Sequence, residues 1–208
     1  GGSVAILNLG RNTEALMNGS AVTNGKLTVE AGRANLSEVT AIVGTAGGFA
    51  GLGAQVSLAY DHSNVQASIG QNASVSIARK GILVQAETTA TPNITAIGGQ
   101  VSIGLAGGVS IAYGQIDGST SADIASAAIG QGANAAVSSV DVEASSYIAP
   151  VMEAKSVGAA IFLAGEGAIS AFDIDPTVNA ALDSASAANL TTTGALTIVA
   201  GSTVSGKA

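Results

Sequence analysis

Three aspartates are the residues whose types and spacing could do chemistry. Asp173 and Asp175 are two residues apart, so they would share one face of a strand, and Asp183 could return near them one coil later. Paired carboxylates ligate Ca²⁺ or carry out acid–base chemistry, as in polysaccharide-cleaving β-helix enzymes. Pro176, however, favours a turn, where solvated aspartates are common. We therefore expect no catalytic residue, no cofactor and no metal site, with these three aspartates as weak metal candidates.

Residues 61–63, Asp-His-Ser, have the residue types of a hydrolytic triad. Adjacent residues of a strand point to opposite faces, so His62 cannot contact both neighbours on one side. His62 is also the only histidine of the chain. We predict a solvated turn histidine and no enzyme activity.

Residues 130–135, with the sequence GQGANA, match a dinucleotide-binding fingerprint that has alanine in its third small position. That fingerprint requires a preceding strand, a following helix and an acidic residue about twenty positions later. Residues 69–73 (IGQNA) resemble residues 129–133 (IGQGA) and lack the second glycine. A turn of a repeated unit is therefore the better interpretation.

The elements that hold these residues repeat along the chain. The pattern LxVxA recurs at residues 27–31, 82–86, 140–144 and, as LTIVA, 196–200, so its centres are separated by 55, 58 and 56 residues. A second pattern at residues 56–60 (VSLAY) is echoed at 109–113 (VSIAY) and more loosely at 168–172 (AISAF). A fixed period of this length indicates a stacked array. We treat residues 1–208 as one continuous array of about 3.7 units, with approximate boundaries at 1–24 (partial), 25–80, 81–139, 140–195 and 196–208 (partial).

Alternation with a period of two predicts an all-β fold. Apolar residues share one face at Leu27, Val29 and Ala31, then at Val65, Ala67 and Ile69, and again at Ala73, Val75 and Ile77. Short strands spaced in this way are typical of a β-solenoid, or β-helix, with two or three coils in each period. The alternative is a stack of long-stranded antiparallel sheets. The glycine pairs at 47–48, 98–99 and 107–108 would be coil corners with positive φ or close-packed positions in longer strands.

The composition narrows the classes of function. Charged residues make up 10% of the chain and apolar residues 47%, with only 3% aromatics. The net charge of −7 leaves no basic stripe for nucleic acid. Gln, Asn, Pro and repeated Gly and Ser interrupt the charge-free stretches, so we expect no membrane insertion. Cysteine is absent, which excludes a disulfide framework.

The LxVxA strand, the Gly-rich segment, the VSxAY-like strand and the IGxxA turn together resemble the repeats of very large bacterial surface adhesins, the leukotoxin-like and filamentous-haemagglutinin-like proteins. The resemblance covers essentially the whole chain. It implies an extended extracellular stalk at the cell surface and carries over no catalytic residues. We therefore expect a structural segment of a filament or adhesin stalk, whose partners are further covalent repeats, copies joined end to end, or a ligand on a host or neighbouring cell. The alternative is a carbohydrate-binding or polysaccharide-cleaving β-helix domain.

Two expectations concern burial and the ends of the array. The strand alternation predicts that Val29, Val84, Val142 and Ile198 are buried while Glu30, Gln85 and Glu143 face solvent. Within the repeated unit, Val4 corresponds to the position of Val56, and Ala208 corresponds to the position of Val39. Neither end carries a polar capping unit, so we expect both ends to continue into further repeats or into the next subunit of a polymer.

Overall fold

The computed structural model describes residues 1–125, 127–183 and 189–207. Within these ranges the chain forms nineteen β-strands and no helix, as the alternation predicts. The described part of the chain accordingly offers no long apolar helix that would cross a membrane.

The strands belong to five sheets, which we number in the order in which the chain first enters them. Sheet 1 contains β1 (Gly2–Leu9), β6 (Ala50–Asp61), β11 (Leu105–Ile116) and β17 (Leu163–Ile174). Sheet 2 contains β2 (Asn12–Met17), β7 (Asn64–Ile69), β12 (Ser119–Ile124) and β18 (Thr177–Leu182). Sheet 3 contains β3 (Ser20–Thr23), β8 (Ser74–Ala78), β13 (Ala128–Ile129) and β14 (Ala136–Val137). Sheet 4 contains β4 (Leu27–Asn35), β9 (Ile82–Ala90), β15 (Val140–Ile148) and β19 (Leu196–Val204), and sheet 5 contains β5 (Glu38–Gly47), β10 (Asn93–Ser102) and β16 (Val151–Ala160).

The chain passes through sheets 1 to 5 in order and then returns to sheet 1, so one circuit is one coil. Leu27 pairs with Ile82, Ile82 with Val140, and Val140 with Leu196, so neighbouring strands lie one sequence period apart. The expectation of two or three coils in each period is therefore wrong. Adjacent coils are about 4.8 Å apart, the usual spacing of paired strands.

Every strand pairing among the described residues is parallel. The antiparallel alternative is therefore wrong, and the parallel strands stacked in several sheets are compatible with a β-solenoid. We call the arrangement the coil stack. Val4 pairs directly with Val56, as its phase predicts, whereas Ala208 lies outside the described residues.

The second sequence pattern does not coincide with the structural register. Val109 pairs with Ala54 rather than Val56, a shift of two residues that keeps each side chain on its expected face. Ala168 pairs with Ser110, one residue away from the sequence alignment. A shift of one residue exchanges the two faces of a strand. Phe172 consequently packs against the core, whereas Tyr113 lies on the outer face.

The similar segments 69–73 (IGQNA) and 129–133 (IGQGA) do not occupy equivalent positions of the coil. Ile69 ends β7 in sheet 2 and pairs with Ile124. Ile129 belongs to β13 in sheet 3 and pairs with Val75. The two IGQ segments therefore form turns at different corners of the coil.

The main apolar core lies between sheets 2, 3 and 4. Val29, Val84 and Val142 are buried there on one column, and Glu30, Gln85 and Glu143 face outward, as predicted. Ile198 continues the same column but is 44% exposed, because no described strand covers β19 on its other side. The prediction that Ile198 is buried is wrong for that reason.

A β-bulge breaks the predicted alternation in sheet 3. Ala21 pairs with Val75 and Val22 pairs with Ile77, so Ser76 has no partner on β3. The extra residue shifts the alternation by one position, and Ala78 becomes fully buried while Ile77 is only partly buried.

The glycine pairs at 98–99 and 107–108 lie inside β10 and β11, and neither pair has positive φ. They lie in long strands rather than at coil corners, and of the four only Gly99 has no atom within 4 Å of the place a Cβ would take. Gly47 and Gly48 do lie at the turn between β5 and β6, but they too lack positive φ.

Candidate functional site

The three candidate aspartates do not form one site. Asp173 faces outward on β17, and Asp175 follows that strand, its backbone N–H donating to Ile116 O at 2.8 Å. Asp183 lies beyond β18, and its backbone N–H donates to Ile124 O at 3.1 Å. The whole of β18 separates it from Asp175, about 25 Å of extended chain at 3.3 Å per residue. Among the described residues no group of three or more His, Cys, Asp or Glu is placed to hold a metal ion.

His62 lies at an outer corner of the coil and points away from Asp61. Its Nδ1 contacts Asp117 Oδ1 of the next coil, and its ring stacks on Tyr60 with centroids 6.3 Å apart. Ser63 Oγ accepts a hydrogen bond from the backbone N–H of Arg11 at 3.2 Å. The residues of the Asp-His-Ser segment therefore face different partners and do not form a triad.

Residues 130–135 form the turn between β13 and β14. Gly130 and Gly132 have φ values of 68° and 111°, which glycine adopts without strain. A strand follows this turn, whereas a dinucleotide site requires a helix N-terminus for the pyrophosphate.

A buried ion pair, which the sequence did not lead us to expect, joins Arg33 on β4 to Asp61 at the end of β6. Their side chains are 9% and 10% exposed. Asn35 Nδ2 and the backbone N–H of Ser63 each donate to the Asp61 carboxylate at 3.1 Å. Burial raises the pKa of Asp61, but the hydrogen bonds from Ser63 and Arg33 and the positive charge of Arg33 outweigh it, and the pKa lies below its ordinary value.

The sequence contains a signal for this pair. The alternation that places Val29 and Ala31 inside also places Arg33 inside, two residues further along the same strand. A buried charge is stable only beside an opposite charge or several hydrogen bonds, so an inward arginine calls for a buried carboxylate.

Sheets 1 and 5 face each other across a narrow interior that long polar side chains span. Gln55 of β6 is fully buried, and its side-chain amide lies against Gly98 of β10. A Cβ atom on residue 98 would lie 2.1 Å from Gln55 Oε1. Ser110 Oγ lies 2.8 Å from Gln55 Oε1. The absence of a side chain at position 98 therefore makes room for the glutamine.

The same pairing recurs twice, once with the roles of the two sheets exchanged and once with the original roles. Gln100 of β10 ends over Gly108 of β11, and Glu166 of β17 ends over Gly158 of β16. With its amide nitrogen toward Glu166, Gln100 donates to the carboxylate at 3.0 Å, and Ser156 Oγ donates to the same group. Glu166 occupies the position that Gly108 has in the preceding coil. It is therefore an inward carboxylate in the last described coil.

The strands of the first and last described coils have one unpaired edge each. The column through sheet 4 shows the consequence: Val142 has 0% exposure, whereas Ile198, which pairs with it, has 44%. Unpaired N–H and C=O groups of an edge strand are a template for a further strand. These edges are the candidate site for association of one coil stack with the next.

Comparisons with protein-family models, with curated proteins and with solved structures find no match.

Proposed function

We propose that this chain is a structural segment of an extracellular bacterial filament or adhesin stalk. It works by stacking coils and by continuing end to end rather than by chemistry. The observation that carries the proposal is the parallel, in-register pairing of equivalent strands in four successive coils, which buries Val84 and Val142 on one column. The same column reaches the outer edge of β19 at Ile198, which is 44% exposed.

A further coil on this edge would have two stabilising effects. It would pair the free backbone groups of β17, β18 and β19 with a neighbouring strand. It would also bury the outer half of each apolar column, and full burial of one isoleucine contributes about 1.5–3 kcal/mol. Further covalent coils or a second copy of the chain would cover the same edge.

The surroundings support a structural role. The side chains of the triad-like segment have different partners, and the dinucleotide-like segment is a turn between two strands, so neither motif forms the site that it resembles. The bacterial and extracellular parts of the proposal come from the resemblance of the repeats to those of large adhesins.

The experiment measures the mass of residues 1–208 by light scattering as protein concentration rises, with electron microscopy of the same samples. We expect the mass to increase and thin fibres to form. Ile198→Lys places an ammonium group on the inward column, where a stacked coil would bury it, and should abolish fibres. Val199→Lys adds the same charge to the outward face of the same strand, where it stays in solvent, and should leave fibres intact.

Two outcomes would contradict end-to-end association. One is a folded monomer at every concentration. The other is equal loss of fibres in both lysine variants, because that would make net charge rather than edge burial the cause.

A further inference from the structure

The outward face of sheet 1 is apolar except for one polar column beside sheet 2. One column runs across all four strands through Val4, Val56, Ile111 and Ile169, which pair in register. Val4 is 66% exposed and Ile169 is 56% exposed. On the four described strands of sheet 1, Asp173 is the only charged residue that faces outward. We call this surface the sheet 1 face.

The neighbouring sheet shows that an outward face of this coil stack need not be apolar. The corresponding column of sheet 2 contains Glu14, Gln66, Ser121 and Asn179, which also pair in register. Both columns lie outside the core, so the coil geometry does not explain the difference between them. The sheet 1 face has the composition of a surface that a partner covers.

The size of the face fits a stable protein interface. The 44 residues of its four strands, at about 3.3 Å along the strand and 4.8 Å between strands, cover about 700 Å² with the polar border included and about 570 Å² without the last two residues of each strand. The apolar part is therefore at the upper end of the about 300–600 Å² that the largest apolar patch of an ordinary monomer covers. A stable interface buries about 800 Å² on each partner.

Polar residues border the face on one side. The column formed by Asn8, Tyr60, Gln115 and Asp173 closes it where sheet 1 leads into sheet 2. On the opposite side the apolar surface continues onto the turns between sheets 5 and 1, where Phe49 and Phe162 are exposed. A polar border beside an apolar centre is usual in protein–protein interfaces, and this face has such a border on the side of sheet 2.

We propose that the sheet 1 face binds the same face of a second copy, so that two coil stacks pair side by side. The nearly uncharged face allows contact with an identical surface without like-charge repulsion, as a two-fold interface requires. A lipid surface fits less well, because the net charge is −7 and the face lacks the Lys, Arg and Trp residues that anchor proteins to anionic membranes. The proposal adds a lateral contact to the proposed filament and uses a different surface from the coil edges.

The test separates the two contacts by starting from Ile198→Lys, which blocks end-to-end stacking. In that background we expect sedimentation equilibrium to give the mass of two chains. Small-angle scattering should show a doubled cross-section at unchanged length. Adding Val56→Lys, Ile111→Lys and Ile169→Lys should give monomers.

The matched control adds Gln66→Lys, Ser121→Lys and Asn179→Lys on sheet 2 and should remain dimeric. If the sheet 1 triple variant fails to fold, Ile111→Lys alone should weaken the dimer at least tenfold, with circular dichroism unchanged.

A monomeric Ile198→Lys protein would overturn lateral pairing and leave end-to-end stacking intact. Equal dimerisation of both triple variants would also overturn it. Binding of the Ile198→Lys protein to phosphatidylcholine vesicles, lost in the sheet 1 triple variant and without any dimer, would assign the face to lipid instead.

Discussion

Arg33 and Asp61 form a buried ion pair that links sheet 4 to sheet 1 inside the coil stack. In the next coil the corresponding positions hold Thr88 and Ile116. There Thr88 instead shares a hydrogen bond of 2.7 Å with Thr120. The pair is therefore specific to one layer of the coil stack.

Asp61→Ala should lower the free energy of unfolding by about 3 kcal/mol, because it leaves the Arg33 guanidinium buried without a counter-charge. Urea unfolding followed by circular dichroism measures the change. The double variant Arg33→Thr/Asp61→Ile introduces the residues of the next coil and should recover most of the loss. If Asp61→Ala alone were neutral, the pair would not contribute to stability.

The stability of the fold should depend on pH through Asp61. Its pKa in the folded state is lower than the ordinary aspartate value of about 3.9, so the pair stabilises the fold fully above about pH 5. This contribution declines as the pH falls through 3.9 towards the folded-state pKa. Unfolding midpoints between pH 6 and pH 2 should therefore fall more steeply for the wild type than for Arg33→Thr/Asp61→Ile. Parallel curves would show that other carboxylates cause the acid sensitivity.

Val142→Asp should destabilise the protein by about 4 kcal/mol, because the carboxylate would be buried without a partner. Ile198→Asp makes the same kind of change on the same column, but at its uncovered end. It should cost only about 1 kcal/mol, the transfer free energy of a half-buried isoleucine. Thermal unfolding of both variants under conditions where the chain is monomeric measures the difference. Equal effects would mean that Ile198 is as buried as Val142 in the monomer.

Gly98→Ala should destabilise by about 1–2 kcal/mol, because its Cβ would displace the buried Gln55 side chain from its contact with Ser110. Gly99→Ala, at the next position on the same strand, meets no atom within 4 Å and should be neutral or slightly stabilising. Combining Gly98→Ala with Gln55→Ser should restore stability. Urea unfolding of the four proteins checks this. Equal effects of the two alanines would show that the contact of Gln55 with Gly98 does not contribute to stability.

Glu166→Gln should strengthen end-to-end association. The protein concentration at which the mass doubles should fall at least tenfold. A coil stacked on β17 would bury the Glu166 carboxylate, whereas a neutral amide has a lower desolvation cost and matches the buried Gln55 and Gln100. Glu153→Gln removes the same charge from the outward face of β16 and serves as the control. Light scattering measures the association of both variants. Equally stronger association of the two would indicate a general effect of net charge.

The alternation of apolar and polar residues was sufficient to predict strands and the direction of most side chains. It placed Val84 and Val142 inside and Glu30 outside, because a strand presents successive residues to opposite faces. The recurrence of LxVxA also identified strands that pair in register across four coils. Both signals are local or strictly periodic, so a single sequence contains them in full.

Tertiary structure decided which strands meet and how tightly they pack. The sequence alone did not show that one period makes one coil, that Phe172 is shifted inward, or that Arg33 lies beside Asp61. Alternation specifies the face of a residue but not the partner across the interior. That partner depends on the shape of the coil, which the close fit of Gln55 over Gly98 helps to determine. Ile198 lies on the same column as Val142, but its strand is paired on one side only, and the sequence of that strand does not indicate this.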